Sequence, residues 1–191
     1  MYDLKTLGRP VEAGDVLPDF AVETAFQQGL HLSDLTQGKP AMLLLLRYYG
    51  CPLCQLDMHN LAQGMDKISA VGGKLIVVLQ SGRNTMAAKL GSADALPYPI
   101  VCDPEKKLYQ ALDVRPAADT SALLGPDFGA KLEQIQAMGL QHGDYEGDEL
   151  QLPAAFALDQ KLRVTYVHYG KSADDTPDAE QIAALLEAAA Q

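Results

Sequence analysis

An unbroken apolar run, Ala41 to Leu46, stops just short of Cys51-Pro52-Leu53-Cys54, and from there Leu53, Leu56, Met58, Leu61, Met65, Ile68 and Val71 recur at helical spacing. A short continuous apolar run is the pattern of a strand covered on both faces, and the helical spacing gives the next segment one core-facing side. A second such run, Leu75 to Leu79, follows Gly72-Gly73. Strand, helix and strand in this order predict a parallel or mixed sheet with helices packed on it.

The rest of the chain continues the alternation. Ala21 to Phe26 and Leu30 to Leu32, around Gln27-Gln28-Gly29, predict a hairpin, and Ser33 to Leu35 a helical turn. The central strand is expected over Met42 to Arg47 and one helix over Pro52 to Val71. Asn84 to Leu90 predicts a helix, Pro99 to Cys102 a short strand, and Lys106 to Leu112 a helix with Asp103 as its N-cap and Pro104 in its first position. Val114 to Leu150 breaks the rhythm with Pro116, Gly125-Pro126, a helix expected over Ala130 to Met138 and a polar, Gly-rich stretch from Gly139 to Gly147. A connection of that length is read as an insertion. Ala155 to Leu158 and Arg163 to Tyr169, around Asp159-Gln160-Lys161, predict a second hairpin, and Pro177 to Ala190 a closing helix. The expectation is a single domain over 1–191, with the insertion at about 114–150.

The placement of Cys51 and Cys54 at a strand-to-helix turn has a chemical consequence. Unpaired N–H groups and the positive end of the helix dipole favour a thiolate there, which makes a cysteine a nucleophile near neutral pH. Two other readings compete with this one. A structural zinc site needs two further Cys or His ligands; Cys102 stands alone, and His31, His59, His142 and His168 form no closely spaced pair. Inert buried cysteines are the third reading. Cys102, at the end of an expected interior strand, fits that one better than it fits a resolving role.

Composition narrows the partners. With 25 acidic residues against 15 basic ones the net charge is −10, and the basic residues are scattered, so nucleic acid and anionic membrane surfaces are repelled. The denser acidic stretches, Asp144 to Glu149 and Asp174 to Glu180, read as solvated surface. No apolar run is long enough to span a bilayer, and Met1 to Pro10 shows no apolar leader segment. Three cysteines do not make a secreted disulfide framework, so a reducing, cytoplasmic location is expected.

Several short motifs occur in a telling order. Gly14-Asp15 and Pro18-Asp19-Phe20 are similar to the start of the AhpC/TSA redoxins. Leu46-Arg47-Tyr48-Tyr49-Gly50 before the cysteine pair, Asp103-Pro104, Gly147-Asp148, Gln151-Leu152-Pro153, and Asp174-Asp175 with Pro177 are similar to a peroxiredoxin-like branch carrying a CxxC motif. Over Gly14 to Ala190 the chain thus resembles that branch of the thioredoxin-fold superfamily. The resemblance implies an α/β, thioredoxin-like fold: a central mixed β-sheet flanked by helices, with an N-terminal β-hairpin and an insertion before the C-terminal β-hairpin. It implies a thiol-dependent oxidoreductase that reduces peroxides or disulfides through a reversible Cys51/Cys54 dithiol. No bound cofactor is called for, only a thioredoxin-type or low-molecular-weight thiol as reductant, and a homodimer is left open. Thiol–disulfide exchange without peroxidase activity, and a non-catalytic binding module on the same fold, are the alternatives.

The chain departs from the family pattern P-x-x-x-[ST]-x-x-C. In that register Cys54 takes the peroxidatic place, Cys51 the hydroxyl place and Arg47 the proline place, while Pro153 stands where a later arginine is expected. A peroxide-activating guanidinium is thus missing from its usual position, and Arg47 and Arg115 are the candidates to supply one from elsewhere. In the thioredoxin register Cys51 attacks, Cys54 resolves, and Pro153 is the counterpart of the cis-proline facing the pair, with a trans-proline opening an edge strand as the other reading. Arg47, Cys51 and Cys54 are the expected catalytic residues, and Tyr48, Tyr49, Pro52 and Pro153 the expected substrate contacts, although strand-end packing serves the two tyrosines equally well. Asp57 and His59 are expected to face solvent, and His168 to be a packed or edge histidine.

Overall fold

A computed structural model describes residues 9–190. The reading of residues 1–8 as lacking a leader lies outside the described residues. The apolar runs become the middle of a five-stranded sheet in the order β5-β4-β3-β6-β7. β3 (Ala41–Leu45) pairs in parallel with β4 (Lys74–Leu79), which pairs in parallel with β5 (Ile100–Cys102). On its other side β3 runs antiparallel to β6 (Ala154–Leu158), and β6 antiparallel to β7 (Val164–Tyr169). A separate two-stranded ribbon, β1 (Ala21–Val22) with β2 (Leu30–His31), leads into α1 (Leu32–Thr36). This mixed sheet flanked by helices is the thioredoxin-like architecture expected from the sequence.

The period of two along β3 divides the core. Met42 and Leu44 point to one face, where Leu56, Ile68, Ile135, Ile182 and Leu186 cover them. Leu43 and Leu45 point to the other, against Leu17, Phe20, Leu32, Leu108 and Leu112. Residues of β3 and β4 are covered on both sides, which is why their sequences are continuous rather than alternating.

Two expectations needed correction. The helix expected over Pro52 to Val71 is two, α2 (Pro52–Gln63) and α3 (Met65–Ala70), broken at Gly64. A Cβ on Gly64 would strike Ala179, the first residue of α7 (Ala179–Ala189), so α7 can cross there only over a glycine. The helix expected from Lys106 starts at Lys107 as α5 (Lys107–Ala111), with Lys106 left-handed at φ 56. Pro104 therefore lies outside it, yet the Asp103 carboxylate still caps it, accepting from the N–H groups of Lys107 (2.9 Å) and Leu108 (2.8 Å). The helix expected over Ala130 to Met138 is present as α6 (Phe128–Ala137), preceded by a 3₁₀ turn (Thr120–Leu123), and it docks on α2. α4 (Arg83–Leu90) follows β4 as expected.

The acidic stretches are also not simple solvated surface. Asp174 is 2% exposed, and its carboxylate accepts from the N–H groups of Gly125 and Asp127 at the entrance to α6. Asp57, expected to face solvent, is buried on α2 and paired to Lys131 of α6 at 2.7 Å, with a further bond from the Thr176 hydroxyl. A carboxylate on that face is tolerated because α6 brings an ammonium to it. His59 is exposed and His168, on edge strand β7, pairs with Asp175 at 2.8 Å, as expected.

Candidate active site

β3 delivers the chain to the start of α2, and Cys51 is the residue that caps that helix, with extended backbone at φ −73 and ψ 120. Pro52 follows in the first turn, where its fixed φ suits the helix and its missing N–H costs nothing. The two thiols divide the chemistry between them. The neighbouring Cys54 thiol does most to favour a Cys51 thiolate, and the Arg47 charge and the backbone N–H groups at the start of α2 add to it. Together these outweigh burial and bring the Cys51 thiol down to about 7. Cys54 is pushed well above the ordinary thiol range, first by its complete burial and then by Cys51 as an anion beside it. It keeps its proton, and its sulfur accepts from the Arg47 N–H at 3.4 Å.

Cys51 is 2% exposed, but it forms part of the wall of a cavity of about 650 Å³. One end of that cavity is polar, with Arg47, His142 and Glu149 beside Cys51 and Pro52. Much of the remaining lining is apolar and comes from the segment between α5 and β6: Leu123 and Leu124 at the end of the 3₁₀ turn, beside Thr120 and Ser121, and Phe128, Leu132 and Ile135 from α6.

A strap formed by residues 142–151 closes one side of the site. Gly143 N–H donates to the Gly50 carbonyl at 2.8 Å, Asp148 N–H to the Gln80 side chain at 2.7 Å, and the Ser81 hydroxyl to Glu146 at 2.7 Å. Gly50 is required at its position, because a Cβ there would enter the Asp144 carbonyl. The strap's Glu149 accepts from the hydroxyl of buried Tyr48, and its backbone carbonyl accepts from the Arg47 guanidinium at 2.8 Å. His142 stacks on Tyr145 with ring centroids 4.1 Å apart, and its Nε2 lies 3.0 Å from the same Tyr48 hydroxyl.

Arg47, Cys51, Cys54 and Pro52 are thus brought together, with Tyr48 behind the polar wall. Tyr49 is half-buried, its N–H on the Ser81 hydroxyl at 2.9 Å, and it is not on the cavity wall. Arg115 is away from the thiols, paired to Asp113 with its side chain 77% exposed. Pro153 also stands apart. No peptide bond among the described residues is cis, and Pro153 lines a different hollow of about 330 Å³ with Val114, Pro116 and Tyr169. It precedes interior strand β6 rather than an edge strand, and its carbonyl is taken by the Gly170 N–H at 2.8 Å, so it offers no free backbone to an extended substrate. Cys102 is buried in another part of the molecule, and burial pushes its thiol up to about 12. The sequence reading missed Glu149 and His142; they reach the site from about 100 residues downstream on the strap, and no local spacing announces them.

The AhpC/TSA family profile matches residues 13–167. The chain belongs to the AhpC/TSA family. It is accordingly an oxidoreductase of the peroxiredoxin type, with the thioredoxin-like fold of that group. Solved structures with the same fold include the peroxidoxin BcpB of Mycobacterium tuberculosis, at a TM-score of 0.66 and 16% identity over 94% of this chain and 98% of that one. The bacterioferritin comigratory protein of Xanthomonas campestris gives 0.62 and 15% over 93% of this chain and 98% of that one. The thiol peroxidase of Chromobacterium violaceum gives 0.61 and 16% over 94% and 88%. No curated protein matches the sequence.

Proposed function

We propose that this chain is a thiol peroxidase in which Cys51 is the peroxide-attacking thiolate and Cys54 the resolving thiol. The observation that carries the reading is the asymmetry of the pair. Cys51 is acidified and lines a cavity, whereas Cys54 is buried beside it with its thiol pushed well above the ordinary range. The Cys51 sulfur attacks the terminal oxygen of a hydroperoxide, forming an S–O bond as the O–O bond breaks, and the alkoxide takes a proton and leaves as an alcohol. Cys54 then attacks the sulfenic sulfur, the S–O bond breaks, and water leaves with the Cys54 proton as the disulfide forms. Two equivalents of an external thiol, of thioredoxin type or low molecular weight, restore the dithiol.

Arg47 is the guanidinium at the site, and its charge favours the thiolate. The apolar wall suits an organic hydroperoxide whose substituent lies along Leu123, Phe128 and Leu132. Alkyl peroxide reduction is the activity named for the structurally similar Xanthomonas protein. A protein disulfide, by contrast, needs more access than a sulfur on a residue 2% exposed allows.

The test is trapping. In Cys54→Ser, peroxide followed by dimedone should label Cys51 alone. Label on Cys102, or Cys51→Ser forming a labelled Cys54 at the same rate, would return the peroxidatic role to another cysteine.

A further inference from the structure

The polar wall holds a chain of three groups that the two-cysteine mechanism does not use. Glu149 accepts from the Tyr48 hydroxyl, and the His142 Nε2 is 3.0 Å from that same hydroxyl oxygen. On the far side of the ring, His142 Nδ1 is 2.8 Å from the Gly143 carbonyl. A carbonyl can only accept, so Nδ1 carries a proton. While the Tyr48 hydroxyl donates to Glu149, Nε2 can bond that oxygen only as a donor. The cluster therefore holds one proton that can sit at either end. Imidazolium, hydroxyl and carboxylate become neutral imidazole, hydroxyl and carboxylic acid when both hydrogen bonds reverse their direction. Tyr48 is the bridge and not an end, since burial, and then Glu149 beside it, raise its hydroxyl well above the ordinary phenol range.

Both ends of this chain line the cavity with Cys51, and Glu149 is tied to Arg47. Breaking an O–O bond by thiolate attack releases an alkoxide, which needs a proton as it departs. Cys54 does not line the cavity and its thiol is pushed well above the ordinary range, which makes it a poor acid for that oxygen, and Arg47 does not deprotonate.

We propose that His142, Tyr48 and Glu149 form a proton relay that delivers this proton to the leaving oxygen. The proposal rests on the peroxidase reading. The Cys51 sulfur donates its electron pair to the terminal oxygen and the O–O bond breaks toward the distal oxygen. The proton stored at His142 passes through Tyr48 to Glu149 and from there to that oxygen, giving the alcohol. Neutral His142, whose side chain is 31% exposed, then recovers a proton from water.

The test uses the leaving group. The tert-butoxide released by tert-butyl hydroperoxide needs the proton, whereas the acetate released by peracetic acid does not. The chain has no tryptophan, so oxidation of the reduced full-length protein is followed by rapid quench, alkylation of remaining thiols and mass analysis. His142→Gln and Tyr48→Phe are each expected to slow oxidation by tert-butyl hydroperoxide about 10²-fold, the low end of a general-acid contribution, with a far smaller loss toward peracetic acid. Equal slowing toward both peroxides, or none toward either, with the wild type fully active, overturns the relay while leaving the peroxidase reading intact. A wild-type protein that neither peroxide oxidises overturns both.

Discussion

Replacing Lys131 by Met would break the buried seam that holds α6, and with it the apolar cavity wall, against the redox helix. Asp57 lies one turn beyond Cys54 and is 7% exposed, with Lys131 Nζ at 2.7 Å and the Thr176 hydroxyl at 3.1 Å. Burial raises the Asp57 carboxyl more than Lys131 lowers it. A carboxyl whose folded pKa lies above its unfolded one binds more protons when folded, so stability falls as pH rises through that window and levels off above it. Without Lys131 the folded value rises further and the window widens. Breaking one partner out of a buried pair costs ~3–5 kcal/mol. The Lys131 side chain is 16% exposed and Thr176 remains as a donor, which places the cost at the lower end, about 3 kcal/mol. At ~2–4 °C per kcal/mol for a chain of this size, Tm should fall by about 6–12 °C. Urea unfolding near pH 7 and near pH 5 measures it directly. The deficit should be smaller at the lower pH, where Asp57 takes up a proton more easily. Adding Asp57→Asn to Lys131→Met should recover most of the loss at the higher pH. A loss within the ~0.5 kcal/mol of ordinary surface substitutions, or an equal loss at both pH values, would refute the assignment of a buried, coupled pair.

Other expectations follow from the same geometry. Because the Cys51 thiol is brought down to about 7, its oxidation by peroxide should rise with pH up to a midpoint near that value and be flat above it; a pH–rate profile with a midpoint near the ordinary 9.0 would contradict the arrangement. Arg47→Met should move that midpoint upward and slow peroxide oxidation by about 10²-fold, the scale of losing one positioned electrostatic contact, while a small disulfide reagent is affected much less. Gly50→Ala should push the strap off through the Asp144 carbonyl, so Cys51 should alkylate faster with iodoacetamide even as peroxide oxidation slows. Unchanged alkylation would mean that the strap does not cover the thiol.

The sheet was legible because its signals are local. Ala41 to Leu46 and Leu75 to Leu79 carry their burial in their composition, and the cysteine pair sits where a helix must start. What escaped the sequence depends on contacts between distant segments. Asp57 looks like a surface carboxylate until α6 brings Lys131 to it from 74 residues away. Gly64 looks like an interior helical glycine until α7 crosses it. Pro153 was aligned with a redox-site proline by its place before a strand, but strand order puts it against β7 and a different hollow. Glu149 was one residue in an acidic run, and only the strap's bonds to Gly50 and Gln80 turn it toward Arg47 and Tyr48. The cysteines and Arg47 were readable because the strand and helix that position them are adjacent in the chain.

On the proposed reading, Cys51 attacks peroxide in preference to protein disulfides. The most direct test is a rapid-quench comparison of the reduced protein mixed, at equal concentration, with tert-butyl hydroperoxide or with insulin as a protein disulfide. Oxidation by the peroxide should be the faster, ending in a Cys51–Cys54 disulfide with Cys102 still free. Faster reaction with insulin, or Cys102 in the dominant disulfide, would contradict it.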